Sequence, residues 1–216
     1  MKWYRWTLVL LGSVLLALSA WMVIGQIRED RQAASAARQV VQVLAPQIAA
    51  AQQSEKTAQE PADEQLPATA QTPDYILTPQ MPMPEQILQG TAYIGILRID
   101  ALGLELPVID SCTDENLRMA PCCFAGSAYL GPFVIAGHNY TQHFARLSAL
   151  AAGDLVTFTD LDGTVFAYCV EKSEQLLPDD VDGMLRDAWD LTLFTCTIDR
   201  AHRIAVRCSR MAADFA

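Results

Sequence analysis

Leu191-Thr192-Leu193-Phe194-Thr195-Cys196-Thr197, then a polar turn, then His202-Arg203-Ile204-Ala205-Val206-Arg207: the fold of this chain is decided by how these residues pair. Both halves alternate as extended strands do, and the segment between them carries turn residues. With the turn centred on Asp199 and Arg200, antiparallel pairing sets Cys196 directly across from Arg203. Their side chains then share a face, with Cβ atoms roughly 5 Å apart. Thr192, Phe194, Ala205 and Arg207 lie on that same face. Leu191, Leu193, Thr195, Ile204, Val206 and Cys208 take the other. Arg207 falls opposite Thr192, about 13 Å from Cys196 along the strand, so Arg203 is the better partner for the thiol. A slip of one residue would overturn this assignment. A guanidinium beside a thiol suits nucleophilic or anion-stabilising chemistry, which points to an enzyme. The plainer alternative is a core cysteine and a surface arginine.

Working outward, residues 131–136 read as an apolar strand that ends at Gly137-His138-Asn139. A side chain there can emerge at a rim, and an imidazole is the usual acid or base for a leaving amine. The other two histidines, His143 and His202, fall in helix-start and turn contexts. Residues 91–99 and 104–109 are predicted strands. Residues 155–159 and 164–170 flank Asp162-Gly163, a strong hairpin signal. Residues 142–150 are expected to form a short helix, and 171–190 a long acidic connection with helical turns over 179–185. Many short strands in about 125 residues predict a mainly β, closed or nearly closed barrel.

The 51% hydrophobic content is unevenly spread over the 216 residues. Residues 6–25 (WTLVLLGSVLLALSAWMVIG) carry no charge and match the length of a membrane-spanning helix. Trp3, Tyr4, Trp6 and Trp21 sit near its ends, where amphipathic rings favour the headgroup region. A cleaved signal peptide is the competing reading, since Ala17-Leu18-Ser19 has small-x-small spacing; the apolar run is long for that. Lys2 and Arg5 before the segment balance Arg28 and Arg31 after it, so charge alone leaves orientation tied. The expected order is residues 1–5 as an N-terminal tail, 6–25 an anchor, 26–53 a stalk helix that Pro46 would kink, and 54–84 a Pro-rich flexible linker holding a folded domain, 85–216, away from the membrane. A net charge of −10 disfavours nucleic acid as a partner. Of six cysteines, adjacent Cys122 and Cys123 are poorly placed to bridge each other and read as small buried residues.

Val134-Ile135-Ala136-Gly137-His138-Asn139-Tyr140, the TLxTC pattern of Thr192 to Cys196, and His202 to Arg207 together resemble the signature segments of the sortases. These are membrane-anchored cysteine transpeptidases of Gram-positive bacteria. The similarity runs from about Tyr93 to Arg207. It implies an eight-stranded sortase-type β-barrel with short helices, preceded by the transmembrane helix and stalk. It also implies a catalytic trio: Cys196 as nucleophile, His138 as acid and base, Arg203 as oxyanion and substrate support. Thr195, Leu193 and Asn139 are the expected substrate-binding residues. Leu176, Leu177 and Met184 are candidates for an apolar groove.

The resemblance further implies cleavage of an LPxTG-like sorting signal through a thioacyl enzyme, and transfer to a cell-wall amine. The partners would be surface proteins bearing such signals and a cell-wall precursor or other amine. The domain would lie outside the cell membrane on a single-pass anchor, with the N-terminus in the cytosol. No cofactor or metal is expected; the acidic residues of 171–190 only faintly echo a calcium loop. Alternatives are a thiol protease hydrolysing the same kind of signal, a pilin-linking sortase, or a non-enzymatic tethered barrel with a structural Cys196. Pilin-linking members often carry a C-terminal membrane helix and an aromatic lid, and neither is evident in this sequence.

Overall fold

Strand pairing closes on itself in this chain. The computed structural model describes residues 2–59, 73–197 and 199–212. Nine strands follow in order: β1 (Gln86–Leu88), β2 (Thr91–Ile99), β3 (Leu104–Ile109), β4 (Cys122–Ala125), β5 (Phe133–Ala136), β6 (Leu155–Asp160), β7 (Val165–Leu176), β8 (Leu191–Cys196) and β9 (Arg203–Arg210). They are hydrogen-bonded in the order β1-β2-β3-β4-β5-β8-β9-β7-β6, and β6 pairs again with β2. Eight strands therefore form a closed barrel, with β1 added to the start of β2. Two contacts are parallel, β3 with β4 and β5 with β8. Closure leaves the eight strands no free edge to mispair.

Alternation fills the barrel. Ile94, Leu97, Phe133, Ile135, Phe158 and Val206 are among the residues packed inside it. Strand β7 runs six residues beyond the end predicted for it. Its polar extension, Glu171 to Leu176, pairs with β9 from Arg207 back to Arg203 after a bulge at Val170/Lys172. Cross-strand hydrogen bonds hold a segment whose composition reads as loop. Residues 142–150 differ from the helix expected there: they form successive turns and a short 3-10 segment, Leu147–Ala149.

Helix α1 spans Lys2–Gln59 without a break and contains Pro46. Its early part is apolar and exposed, with an 18-residue window of mean hydropathy 2.0 and none of it buried. Among the described residues it is the one helix long and apolar enough to cross a membrane by length and composition. Its later part lies on the barrel. Ala33, Ala34, Ala37, Leu44 and Ile48 are buried, and the Gln52 side chain donates to the Gly163 carbonyl at 2.9 Å. The stalk segment thus docks rather than standing the domain off. Small alanines permit the close approach, and Leu44 and Ile48 on either side of Pro46 are held in a cluster with Tyr93, Ile96 and Ile109.

The expected linker also differs in its described parts. Residues 54–59 continue α1, and 60–72 lie outside the described residues. Helix α2 (Asp74–Leu77) then carries Tyr75, which stacks on Tyr129 at 5.2 Å and meets Phe166 edge-on. Met81 and Met83 pack against the same interior cluster. Composition had suggested a segment unable to bury anything; three large side chains suffice to anchor it.

Candidate active site

The parallel β5–β8 contact brings the first two site residues together. Val134 pairs with Thr192, Ile135 with Leu193 and Ala136 with Phe194. The ladder runs one step further, since the Gly137 amide donates to the Phe194 carbonyl at 3.0 Å. His138 and Cys196 are each two residues past that last pair, so they leave neighbouring strands at the same end. Such strands are about 4.8 Å apart. Gly137 is required here by space: a Cβ would meet the Phe144 ring at 2.4 Å. Phe144 is fully buried, and its amide donates to the His138 carbonyl at 3.2 Å, which pins the loop after β5. The half-buried His138 ring sits 4.9 Å from that of Tyr140.

The hairpin register agrees with the sequence reading. Cys196 is the direct partner of Arg203, and Thr192 of Arg207. The connecting turn is fastened by the Thr197 amide donating to the His202 carbonyl at 2.9 Å and the His202 amide donating to the Thr197 hydroxyl at 3.0 Å. Asp199 accepts from that hydroxyl and from the Ala201 amide, which holds its carboxyl below the usual range. Cys196 and Arg203 are both half-buried. Among the described residues no carboxylate forms an ion pair with Arg203.

Arg207 is otherwise. It is fully buried, and its guanidinium donates to Thr192 Oγ1 at 2.9 Å, Glu174 Oε1 at 2.8 Å, the Met184 carbonyl at 3.3 Å and the Gly183 carbonyl. It fastens helix α3 (Val181–Met184) onto the outer face of the barrel. Met184 there covers Val134, Ala136, Phe194 and Ala205, with Leu176 and Leu185 at the margin. These outward-facing small and apolar residues form a floor leading towards Cys196. Leu176 and Met184 belong to it as expected, whereas Leu177 is 60% exposed. Asp180, in the acidic stretch, caps α3 by accepting from the Gly183 amide at 2.8 Å.

A cavity of about 490 Å³ opens at the thiol, lined by Cys196, Thr195, Thr197, Asn139, Gln175 and His202 among others. Thr195 is 3% exposed, and its hydroxyl, buried behind the cavity wall, has no hydrogen-bond partner. Asn139 also lines this cavity. Leu193 does not: it is fully buried in the barrel interior, because it lies one residue out of phase with Cys196. Gln175 was not anticipated, since the strand that carries it read as an acidic connection.

A closed eight-stranded barrel with a thiol, an imidazole and an unpaired guanidinium at adjoining strand ends defines a narrow class of protein. A family model described as Sortase domain matches residues 97–211, more than half of the chain, and the chain belongs to the sortase family. It is similar to sortase A of Bacillus anthracis, 28% identical over 109 residues covering 48% of this chain and 51% of that protein. The chain thus spans about half the length of that curated relative. Among solved structures, it resembles sortase C1 from Streptococcus agalactiae at 25% identity and a TM-score of 0.51, covering 59% of this chain and 72% of that one. It also resembles a Clostridium perfringens sortase D5 transpeptidase at 23% identity and a TM-score of 0.51, covering 59% of this chain and 83% of that one.

Proposed function

We propose that this sortase is a cysteine transpeptidase acting on an LPxTG-like sorting signal. The observation that carries the reading is the placement of His138 and Cys196 at the same end of the neighbouring parallel strands β5 and β8, with Arg203 across the ladder from Cys196. The Cys196 thiol gives its proton to His138, and its sulfur adds to the carbonyl carbon of the signal's threonine. Arg203 holds the oxyanion through charge-assisted hydrogen bonds. As the C–N bond breaks, His138 delivers a proton to the departing glycine amine and a thioester remains on Cys196. An incoming amine then adds to the thioester, loses its proton to His138, and displaces the Cys196 sulfur. Thr195 and Asn139 hold the signal's polar backbone, and the Met184-covered floor receives its apolar residue.

The apolar part of α1 is read as a single-pass anchor at residues 6–25, with the N-terminus in the cytosol and the barrel outside. The substrates are then surface proteins bearing C-terminal sorting signals, and the acceptor is an amine of a cell-wall precursor. The test is incubation of the full chain in detergent with an LPxTG-type peptide, with and without a glycine-based amine. Transpeptidation predicts an amine-linked product that forms only when the acceptor is present. The same hydrolysed product in both reactions would overturn it in favour of a thiol protease.

A further inference from the structure

His143 has no part in the chemistry above, yet it is completely enclosed by the fold. It is fully buried, and neither ring nitrogen has a hydrogen-bond partner. Leaving a buried donor or acceptor unmade is costly, so such a group calls for explanation. On one side its ring lies 5.5 Å from that of Tyr140, which in turn lies 4.9 Å from that of His138. On the other side is α1. Asp30, one helical turn before Ala34 on that helix, has a buried carboxylate oxygen that also lacks a partner, and its charge acts on His143. A cavity of about 410 Å³ between α1 and β3 is bounded by Ala34, Arg38 and Gln142, the residue before His143, so helix and loop run side by side.

We propose that Asp30 and His143 form a clasp between α1 and the loop after β5, positioning the imidazole of His138. The inference rests on His138 being the acid and base of the reaction. A neutral imidazole has one N–H and one bare nitrogen. Neither ring nitrogen is bonded in the structure; the clasp closes when the Asp30 carboxylate accepts the N–H, which then fixes the tautomer and ring plane of His143. Tyr140, between the two imidazoles, carries that orientation to His138. Burial, with His138 pushing the same way and Asp30 opposing, lowers the His143 pKa to about 4. A neutral neighbour leaves His138 free to carry the proton that the leaving amine needs. Asp30 and His143 are thus positioning residues, and α1 completes the site from outside the barrel.

The test uses the full chain in detergent with Asp30→Ala, Asp30→Asn, His143→Phe and, as reference, His138→Ala. Turnover of the LPxTG-type peptide gives kcat and KM, and peptide-resolved iodoacetamide labelling of Cys196 across pH reads the thiol–imidazole couple. Asp30→Ala and His143→Phe should each lower kcat about tenfold with little change in KM and move the labelling profile. Asp30→Asn keeps an acceptor oxygen and should recover much of the loss. Circular dichroism identifies any variant whose defect is only unfolding; Asp30→Ala, on a helix, keeps the fold. Wild-type kcat and labelling profile in Asp30→Ala would overturn the clasp. Full turnover in His138→Ala would instead overturn the acid–base assignment beneath it.

Discussion

Thr192 and Arg207 face each other across the β8–β9 ladder, and the guanidinium donates to the threonine hydroxyl at 2.9 Å. Four residues along the same two strands, Cys196 faces Arg203. One hairpin therefore places two arginines on one face in opposite roles, one consumed by the fold and one open.

Replacing each arginine should separate them. Arg207→Ala strands two buried carbonyls, a hydroxyl and Glu174, and should cost about 3 kcal/mol or more of stability. Burial tends to raise the Glu174 pKa, but Lys172 and Arg207 bring it below its usual value, and the Arg207 part of that support would go. Arg203→Ala should leave the melting temperature nearly unchanged and lower kcat/KM by roughly 10² to 10³. Arg203→Lys should also be poor, because it lacks the planar fork. Thermal denaturation beside peptide turnover checks both; the reverse pattern would contradict the proposed roles.

Thr195→Val keeps the shape of the side chain and removes a hydroxyl that has no partner in the fold. Stability should hold or rise by up to about 1 kcal/mol, since a buried unpaired polar group disappears. Turnover should drop about tenfold if the hydroxyl serves substrate, the loss of one neutral hydrogen bond. A variant with intact activity would remove Thr195 from the site.

Gly137→Ala drives a methyl into the Phe144 ring that underpins the histidine loop. Overpacking of this kind costs typically 1–3 kcal/mol, roughly, and here it also displaces His138. Activity should fall further than stability predicts. Gly137→Ala combined with Phe144→Leu, which opens space, should recover part of it.

The thiols should separate by environment. Burial pushes Cys123 up to about 11 and Cys208 up to about 12. Interaction between the Cys112 and Cys122 thiols lowers the pKa of the first and raises that of the second, and burial adds to the rise at Cys122. Brief alkylation at neutral pH should modify Cys112 and the cavity-lining Cys196, sparing Cys122, Cys123 and Cys208. Peptide mapping reads the order, and loss of activity should track Cys196 alone. Modification of Cys122 ahead of Cys112 would contradict the pairing.

His143 gives stability a pH window. Its pKa in the fold is about 4, against an ordinary value of 6.5, so between these the unfolded chain binds more protons. Stability should therefore fall as pH drops from 6.5 to 4, by roughly 3 kcal/mol at most. His143→Phe, which cannot take the proton, should flatten that part of the curve. Chemical denaturation at pH 7, 5.5 and 4 measures it.

The hairpin was legible because alternation and turn chemistry are local, and they fixed Cys196 opposite Arg203 before any fold was known. The histidine at the end of an apolar strand was legible for the same reason. What escaped depended on partners far along the chain. Ala33, Ala34 and Ala37 offer little hydrophobic signal, yet they are what seats α1 on the barrel. Glu171 to Leu176 read as loop because polar residues on a strand are justified only by the neighbour they bond, β9. Cys122 and Cys123 hid a strand for want of length. Leu193, expected among the substrate residues, is turned inward by the two-residue period of the strand.

An unbroken rod that carries the greasy segment at one end and is fastened to the barrel at the other leaves no swivel between them. From Gly25 to Asp30 the axial rise is about 8 Å. Where lipid surrounds residues 6–25, the catalytic end is thereby indexed to the bilayer in both altitude and compass bearing. One inserted residue in that short neck would spin the whole domain by about 100° while barely lifting it. Four would nearly restore its heading, one storey higher.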